Sequence, residues 1–304
     1  MRLSILFCAI LSLSFGFPAF AAEESVPDLL PRVESGDPEA QNALGRLYYS
    51  GEGVPLDKAK AAEMFRRAAV QGLAKAQVNL GLLYERGEGV PQNAGTAETW
   101  YKRAAAQDFP DGMFHLAYLY DTDPALKNKL NAIGWYRKAA ERDHVRAQYH
   151  LAMMYESGDG MRQDKAQAAV WYRRAAALGL ADAELQVGLL YEDGEILPKN
   201  PTIAAIWYRK AAEQGLREAQ YMLGGLYAAG KGVPKDTAEA IRWYSLAAEQ
   251  ELVDAEFDLG LLLVIADAPY QDKDSGLLWL TRAAHHGDAQ ARGILKSMDA
   301  WDGD

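Results

Sequence analysis

The sequence predicts an all-α solenoid of about seven helix-hairpin repeats, closed by a capping helix at each end. Three observations carry that expectation. A Trp-Tyr-type pair with Ala-Ala beginning three residues after it recurs along the chain. The pairs are Met64-Phe65, Trp100-Tyr101, Trp135-Tyr136, Trp171-Tyr172, Trp207-Tyr208, Trp243-Tyr244 and Trp279-Leu280, in steps of 36, 35, 36, 36, 36 and 36 residues. Seven residues before each pair stands an Asp or Asn: Asp57, Asn93, Asn128, Asp164, Asn200, Asp236 and Asp272. These are the residue types that cap a helix N-terminus by accepting backbone N–H bonds. A Gly-x-Gly turn such as Gly87-Glu88-Gly89-Val90-Pro91 precedes the cap in several units, and glycine supplies the left-handed backbone on which a helix ends.

Taken in order, the chain opens with Arg2, a nearly continuous apolar run from Leu3 to Phe17, and Pro18-Ala19-Phe20-Ala21 before Ala22. That pattern predicts a signal peptide over 1–21 and a periplasmic or secreted mature protein starting at Ala22. The competing reading is an uncleaved anchor, although the run is shorter than the ~20 residues that span a bilayer. Phe7 precedes Cys8, the one cysteine, which argues against lipoprotein processing and leaves the mature chain with no thiol. Residues 22–36 form an N-terminal capping segment, with Leu29 to Ser35 as a lone second helix. Seven repeats then occupy 37–288, divided as 37–73, 74–109, 110–144, 145–180, 181–216, 217–252 and 253–288. Within the second of them, Ala76, Leu80, Leu83 and Tyr84 lie on one face of a first helix. Gly81 leaves room for a close neighbour, and Asn93 starts a second helix through Ala97, Tyr101 and Ala104-Ala105. The third repeat departs from the pattern with Ala117 and Asp121-Thr122-Asp123-Pro124. The seventh departs with Leu263 and Ile265-Ala266-Asp267-Ala268-Pro269. Residues 289–304 make a C-terminal capping helix, Ala289 to Ala300, and a polar tail.

The elements Leu80-Gly81, Tyr84, Gly87-x-Gly89-Val90-Pro91 and Trp100-Tyr101-x-x-Ala104-Ala105 resemble the Sel-one-like repeat (SLR) family, a relative of the tetratricopeptide repeats, over about residues 37 to 300. The resemblance implies a right-handed α-α superhelix, with first helices on the concave face and second helices on the convex one. It also implies a non-enzymatic scaffold for a partner protein, in envelope signalling, exopolysaccharide control or host contact. The alternative is a cell-wall or β-lactam-binding protein or hydrolase. That activity is linked to a cysteine-paired subgroup, whose cysteines this chain lacks.

Charge narrows the classes further. Without Arg2 the mature chain carries 31 Lys and Arg against 42 Asp and Glu, an acidic balance that repels phosphate backbones and anionic lipid. Nucleic acid and membrane insertion after cleavage are therefore not expected, and the expected partner is a protein or peptide. Oligomeric state is left open. Ser-x-x-Lys, Lys-Thr-Gly, His-Glu-x-x-His, Gly-x-Ser-x-Gly and Walker patterns are absent from the sequence, so no catalytic, cofactor or metal residue is assigned. His115, His144, His150, His285 and His286 read as surface histidines, because no further ligand stands at helical spacing.

Candidate binding residues come from first-helix positions off the packed stripe: Phe114, Tyr118, Tyr149, Met153, Leu185, Leu189, Tyr221 and Phe257. An exposed strip of this kind marks a binding surface; the other reading is packing between neighbouring first helices. An acidic row, Glu85, Asp121, Glu156 and Glu192, sits near the ends of these helices, where it opposes the helix dipole. Either it meets basic groups of a partner or it is an ordinary solvated feature of the unit.

Overall fold

The computed structural model describes residues 25–300, so the expected signal peptide and the polar tail lie outside the described residues. Among these residues there are sixteen α-helices and no strand. They divide into two compact units at 127/128, within the irregular turn of the third repeat. The first unit holds α1 (Val26–Glu34), α2 (Pro38–Ser50), α3 (Lys58–Val70), α4 (Ala74–Arg86), α5 (Ala94–Ala105) and α6 (Pro110–Thr122). The second holds α7 (Lys129–Ala140), α8 (Val145–Ser157), α9 (Lys165–Ala177), α10 (Ala181–Asp193) and α11 (Pro201–Glu213). It continues with α12 (Arg217–Ala229), α13 (Thr237–Glu249), α14 (Val253–Ile265), α15 (Lys273–His285) and α16 (Ala289–Ser297). Within each unit every helix packs against its neighbours in sequence. The chain is thus an all-α solenoid of helix hairpins.

Local chemistry fixes each hairpin. All seven Asp/Asn side chains accept the backbone N–H three residues on, at 2.8 to 3.1 Å. In most repeats the same residue's own N–H returns to a first-helix carbonyl, as from Asn93 to Tyr84 at 2.8 Å and from Asn200 to Tyr191 at 2.8 Å. One residue therefore starts the second helix and ties it to the first. The two glycines of the turn have separate tasks. Gly87 takes a left-handed φ of 70° at the end of α4. At Gly89 a Cβ would stand 2.2 Å from the carbonyl oxygen of Lys58, so that turn touches the start of the preceding second helix. In the third and seventh repeats the first helices end instead on extended residues, Asp123 and Ala266.

The core is built of alanines and one large side chain per second helix, a tyrosine in the second to sixth repeats, Phe65 in the first and Leu280 in the seventh. Tyr101, Tyr136, Tyr172 and Tyr208 are fully buried, and the alanine pairs beside them are buried as well. A Cβ on Gly81 would lie 2.5 Å from the Tyr101 ring, and one on Gly188 2.4 Å from that of Tyr208. The helical glycine therefore makes the space its partner tyrosine fills. Trp100, Trp135 and Trp207 lie further out, each beneath a cation of its own helix. Arg103 covers Trp100 at 4.5 Å, Lys138 covers Trp135 at 4.0 Å and Lys210 covers Trp207 at 4.1 Å. Such pairs contribute about 0.5–1 kcal/mol at exposed sites.

Candidate partner-binding surface

The sequence-selected residues sit at different depths. In the first unit Phe114 is buried at 1% exposure, while Tyr118 on the next turn is half-buried. In the second unit Tyr149 and Leu185 are 8% and 6% exposed, Leu189, Tyr221 and Phe257 are half-buried, and Met153 is 37% exposed. The row nearer each helix N-terminus thus packs more deeply in the middle repeats than the row one turn on. Burial also pushes the Tyr149 and Tyr221 phenols well above their ordinary range.

Adjacent first helices of one unit touch through polar groups at these positions. Asn79 donates to Asn42 at 2.9 Å in the first unit, and the Tyr221 hydroxyl donates to Asp258 at 3.0 Å in the second. The second unit also places a carboxylate near the start of successive first helices. Asp182, Glu218 and Asp254 recur at the second position of α10, α12 and α14. Burial raises the Asp182 carboxyl, and the Glu218 charge raises it further. Asp258 is raised by burial too, then by Asp254 and Asp288, with the Tyr221 bond opposing. In both acids burial and neighbouring carboxylates therefore disfavour the charged form.

The acidic row at the helix ends has a structural use that sequence reasoning missed. The Tyr101 hydroxyl donates to Glu85 at 2.5 Å, Tyr172 to Glu156 at 2.6 Å and Tyr208 to Glu192 at 2.8 Å. Glu192 also takes Lys231 Nζ at 2.8 Å. Each carboxylate so gives a buried phenol an acceptor, which offsets its unfavourable place in the helix dipole. Glu85 is raised by burial, with the Tyr101 bond working against the shift. Asp121 is half-buried. The signal was available as a constant Glu-to-Tyr spacing of 16 residues.

A second missed feature is a ladder at 30-residue spacing. Gln71 donates to Gln41, Gln107 to Gln77, Gln214 to Glu184 and Gln250 to Gln220, at 2.8 to 2.9 Å. The lower members are buried, and Gln77, Gln148 and Gln220 also donate to carbonyls of the preceding second helix. In the last rung Glu256, fully buried, meets Arg282 Nε at 2.7 Å and His286 Nδ1 at 2.9 Å. His115 and His150 stack on Tyr101 and Tyr136, at 5.4 and 5.1 Å between ring centroids. Among the described residues no group of His, Cys, Asp and Glu could hold a metal ion, and no helix is long and apolar enough to cross a membrane.

The family profile described as "Sel1 repeat" matches seven times, over 38–73, 74–109, 110–144, 145–180, 181–216, 217–252 and 253–288. Among solved structures, the chain is similar to a protective antigen present in uropathogenic Escherichia coli strains that displays an SLR fold. The identity is 31% and the TM-score 0.79, covering 90% of this chain and 59% of that one. The chain therefore spans well under two thirds of that relative's length. It is also similar to a Sel1 repeat protein from Oxalobacter formigenes, with 32% identity and a TM-score of 0.71 over 90% of this chain and 80% of that one. No curated protein matches it. With seven matched repeats over most of its length, the chain belongs to the Sel1 repeat family.

Proposed function

We propose that this protein is an exported, non-catalytic scaffold that holds a peptide or helix of a partner protein on its first-helix face. The observation that carries the reading is the juxtaposition in the second unit. Partly exposed apolar side chains (Leu189, Tyr221 and Phe257, with Met153 on the preceding first helix) share α10, α12 and α14 with carboxylates whose charged form burial and neighbouring carboxylates disfavour. Apolar anchors ringed by one sign of charge suit a segment of opposite charge. The partner segment is thus amphipathic and carries Lys or Arg between apolar residues. Repeat arrays present such extended surfaces because each unit adds one helix to the same face. Support also comes from the family, which is one of repeats rather than of enzymes.

Export rests on residues 1–21, and the description of the Escherichia coli relative as a protective antigen agrees with a protein met outside the cytoplasm. The mature N-terminus should be Ala22, and Edman degradation starting at Met1 would rule out cleavage. For the scaffold reading, affinity capture from an envelope extract should recover one partner in stoichiometric yield. Met153→Ala with Leu189→Ala should weaken that recovery while the circular-dichroism melt stays close to wild type. Recovery that ignores both substitutions places the partner elsewhere on the protein.

A further inference from the structure

The fourth repeat breaks the turn pattern in a way the scaffold reading does not use. In the turns of the first, second, fifth and sixth repeats the residue two before the helix cap is a proline: Pro55, Pro91, Pro198 and Pro234. The fourth repeat has Arg162 there, following Met161 in place of valine or leucine. Proline in a tight turn limits the unfolded chain and needs no hydrogen bond. An arginine gives up that benefit and adds an exposed charge.

Arg162 lines an open pocket of about 580 Å³ together with Arg137, Tyr155, Met161, Gln163 and Asp164. Arg137 belongs to the repeat pattern. It donates to the Tyr155 hydroxyl at 3.2 Å, as Arg66 does to Tyr84 at 3.1 Å and Arg209 to Tyr227. Arg162 is the addition, and it brings a second guanidinium to the same cavity. The acids nearest in sequence are already engaged. Asp159 pairs with Lys129 at 2.5 Å, and Asp164 caps α9 through the N–H of Gln167 at 3.0 Å. Arg162 is exposed and makes no ion pair among the described residues.

We propose that this pocket is a carboxylate-binding site, taking an acidic group that is carried beside an apolar one. Two planar guanidiniums offer paired N–H donors that fit a planar carboxylate, and the Tyr155 hydroxyl is at hand as a further donor. Met161 and the Tyr155 ring supply an apolar wall, and methionine adapts readily to different neighbours. Asp164 on the pocket lining penalises each added negative charge, so a monoanionic carboxylate is favoured over a phosphate dianion. The volume suits a ligand of one or two amino-acid residues. The chain as a whole is acidic and repels anions at long range, which makes a local pair of guanidiniums selective. The pocket lies at α7, the end of α8 and the turn into α9, apart from the first-helix rows. It stands or falls separately from the scaffold reading.

The test is a titration of the full mature protein followed through the arginine Nε–H signals by NMR. Four probes are used: N-acetyl-Gly-Leu, its C-terminal amide, N-acetyl-Glu-amide and inorganic phosphate. A chain-terminal source of the carboxylate predicts saturable shifts at Arg137 and Arg162 with the first probe, and a side-chain source predicts them with the third. The amide should bind at least fivefold more weakly than the free acid. Arg162→Pro restores the residue of the sister turns, and Arg162→Gln removes only the charge. Both should weaken carboxylate binding at least fivefold without lowering the thermal melt, which Arg162→Pro should leave in place or raise. Equal binding of acid and amide, tighter binding of phosphate, or affinity unchanged in both variants would each overturn the assignment.

Discussion

Gly188→Ala probes the packing rule on which the repeat depends. In an ordinary helix interior this change stabilises by about 0.8–1 kcal/mol, because alanine loses less backbone entropy. Here the new Cβ would sit 2.4 Å from Cε1 and 2.5 Å from Cδ1 of Tyr208, against an optimal carbon–carbon separation of roughly 3.5–4.0 Å. Relief requires the ring to move by about an ångström, yet Tyr208 is fully buried and its hydroxyl is held by Glu192 at 2.8 Å. Overpacking of a core costs roughly 1–3 kcal/mol, and a hydrogen bond to a charged group contributes about 1.5–3 kcal/mol. Set against the propensity gain, the expected loss is about 1.5–5 kcal/mol. Gly134→Ala on α7 is the matched control, since a Cβ there meets nothing within 4 Å. It should gain up to about 1 kcal/mol. Urea unfolding followed by circular dichroism measures both. A Gly188→Ala midpoint equal to or above that of wild type would falsify the claim that the glycine exists to seat the tyrosine.

The other predictions concern caps, titration and buried polar contacts. Asn200→Ala removes the acceptor for Ile203 N–H and should cost ~1 kcal/mol in the same urea assay. Asp258 has a raised carboxyl, so the folded state holds its proton more tightly than the unfolded chain does. Its contribution is fully present below the unfolded value, near 3.8, and is lost as pH rises through the folded one. The stability difference between Asp258→Asn and wild type should therefore be smallest in acid and grow in favour of the variant toward neutral pH. A flat difference across that range would remove the argument for an electrostatic deficit. Gln220→Leu removes two hydrogen bonds, one to the Ala212 carbonyl and one from the Gln250 amide, although both groups keep other partners. In the same urea assay it should destabilise by roughly 0.5–1.5 kcal/mol for each bond lost.

What the sequence made legible was whatever repeats within a single helix or turn. The caps Asp57 to Asp272, the glycine that ends α4 and the alanines against Tyr101 all follow from spacing, since each acts over a few residues. Contacts between elements were harder to see. Glu156 and Tyr172 stand on different helices, and only the constant offset from one repeat to the next betrays the pair. The depth of Phe114 or Leu185 was hidden for a related reason. A residue off the buried stripe of its own helix can still be covered by the next first helix, and one-helix periodicity does not register that neighbour. Arg162 stands out for the opposite reason, as a break in a pattern that four sister turns keep.

The central claim is that the first-helix face of the second unit takes a basic amphipathic segment. The most direct measurement is fluorescence anisotropy with two synthetic peptides of one length, one alternating lysine with leucine and phenylalanine, the other with glutamate replacing lysine. The lysine peptide should bind, weaken as salt is raised toward and beyond 0.15 M, and lose about tenfold in affinity with Asp182→Asn and Asp258→Asn together, as two screened charges of roughly 1 kcal/mol or less each would give. Equal affinity for both peptides, or lysine-peptide binding that neither salt nor the double substitution changes, would contradict the account.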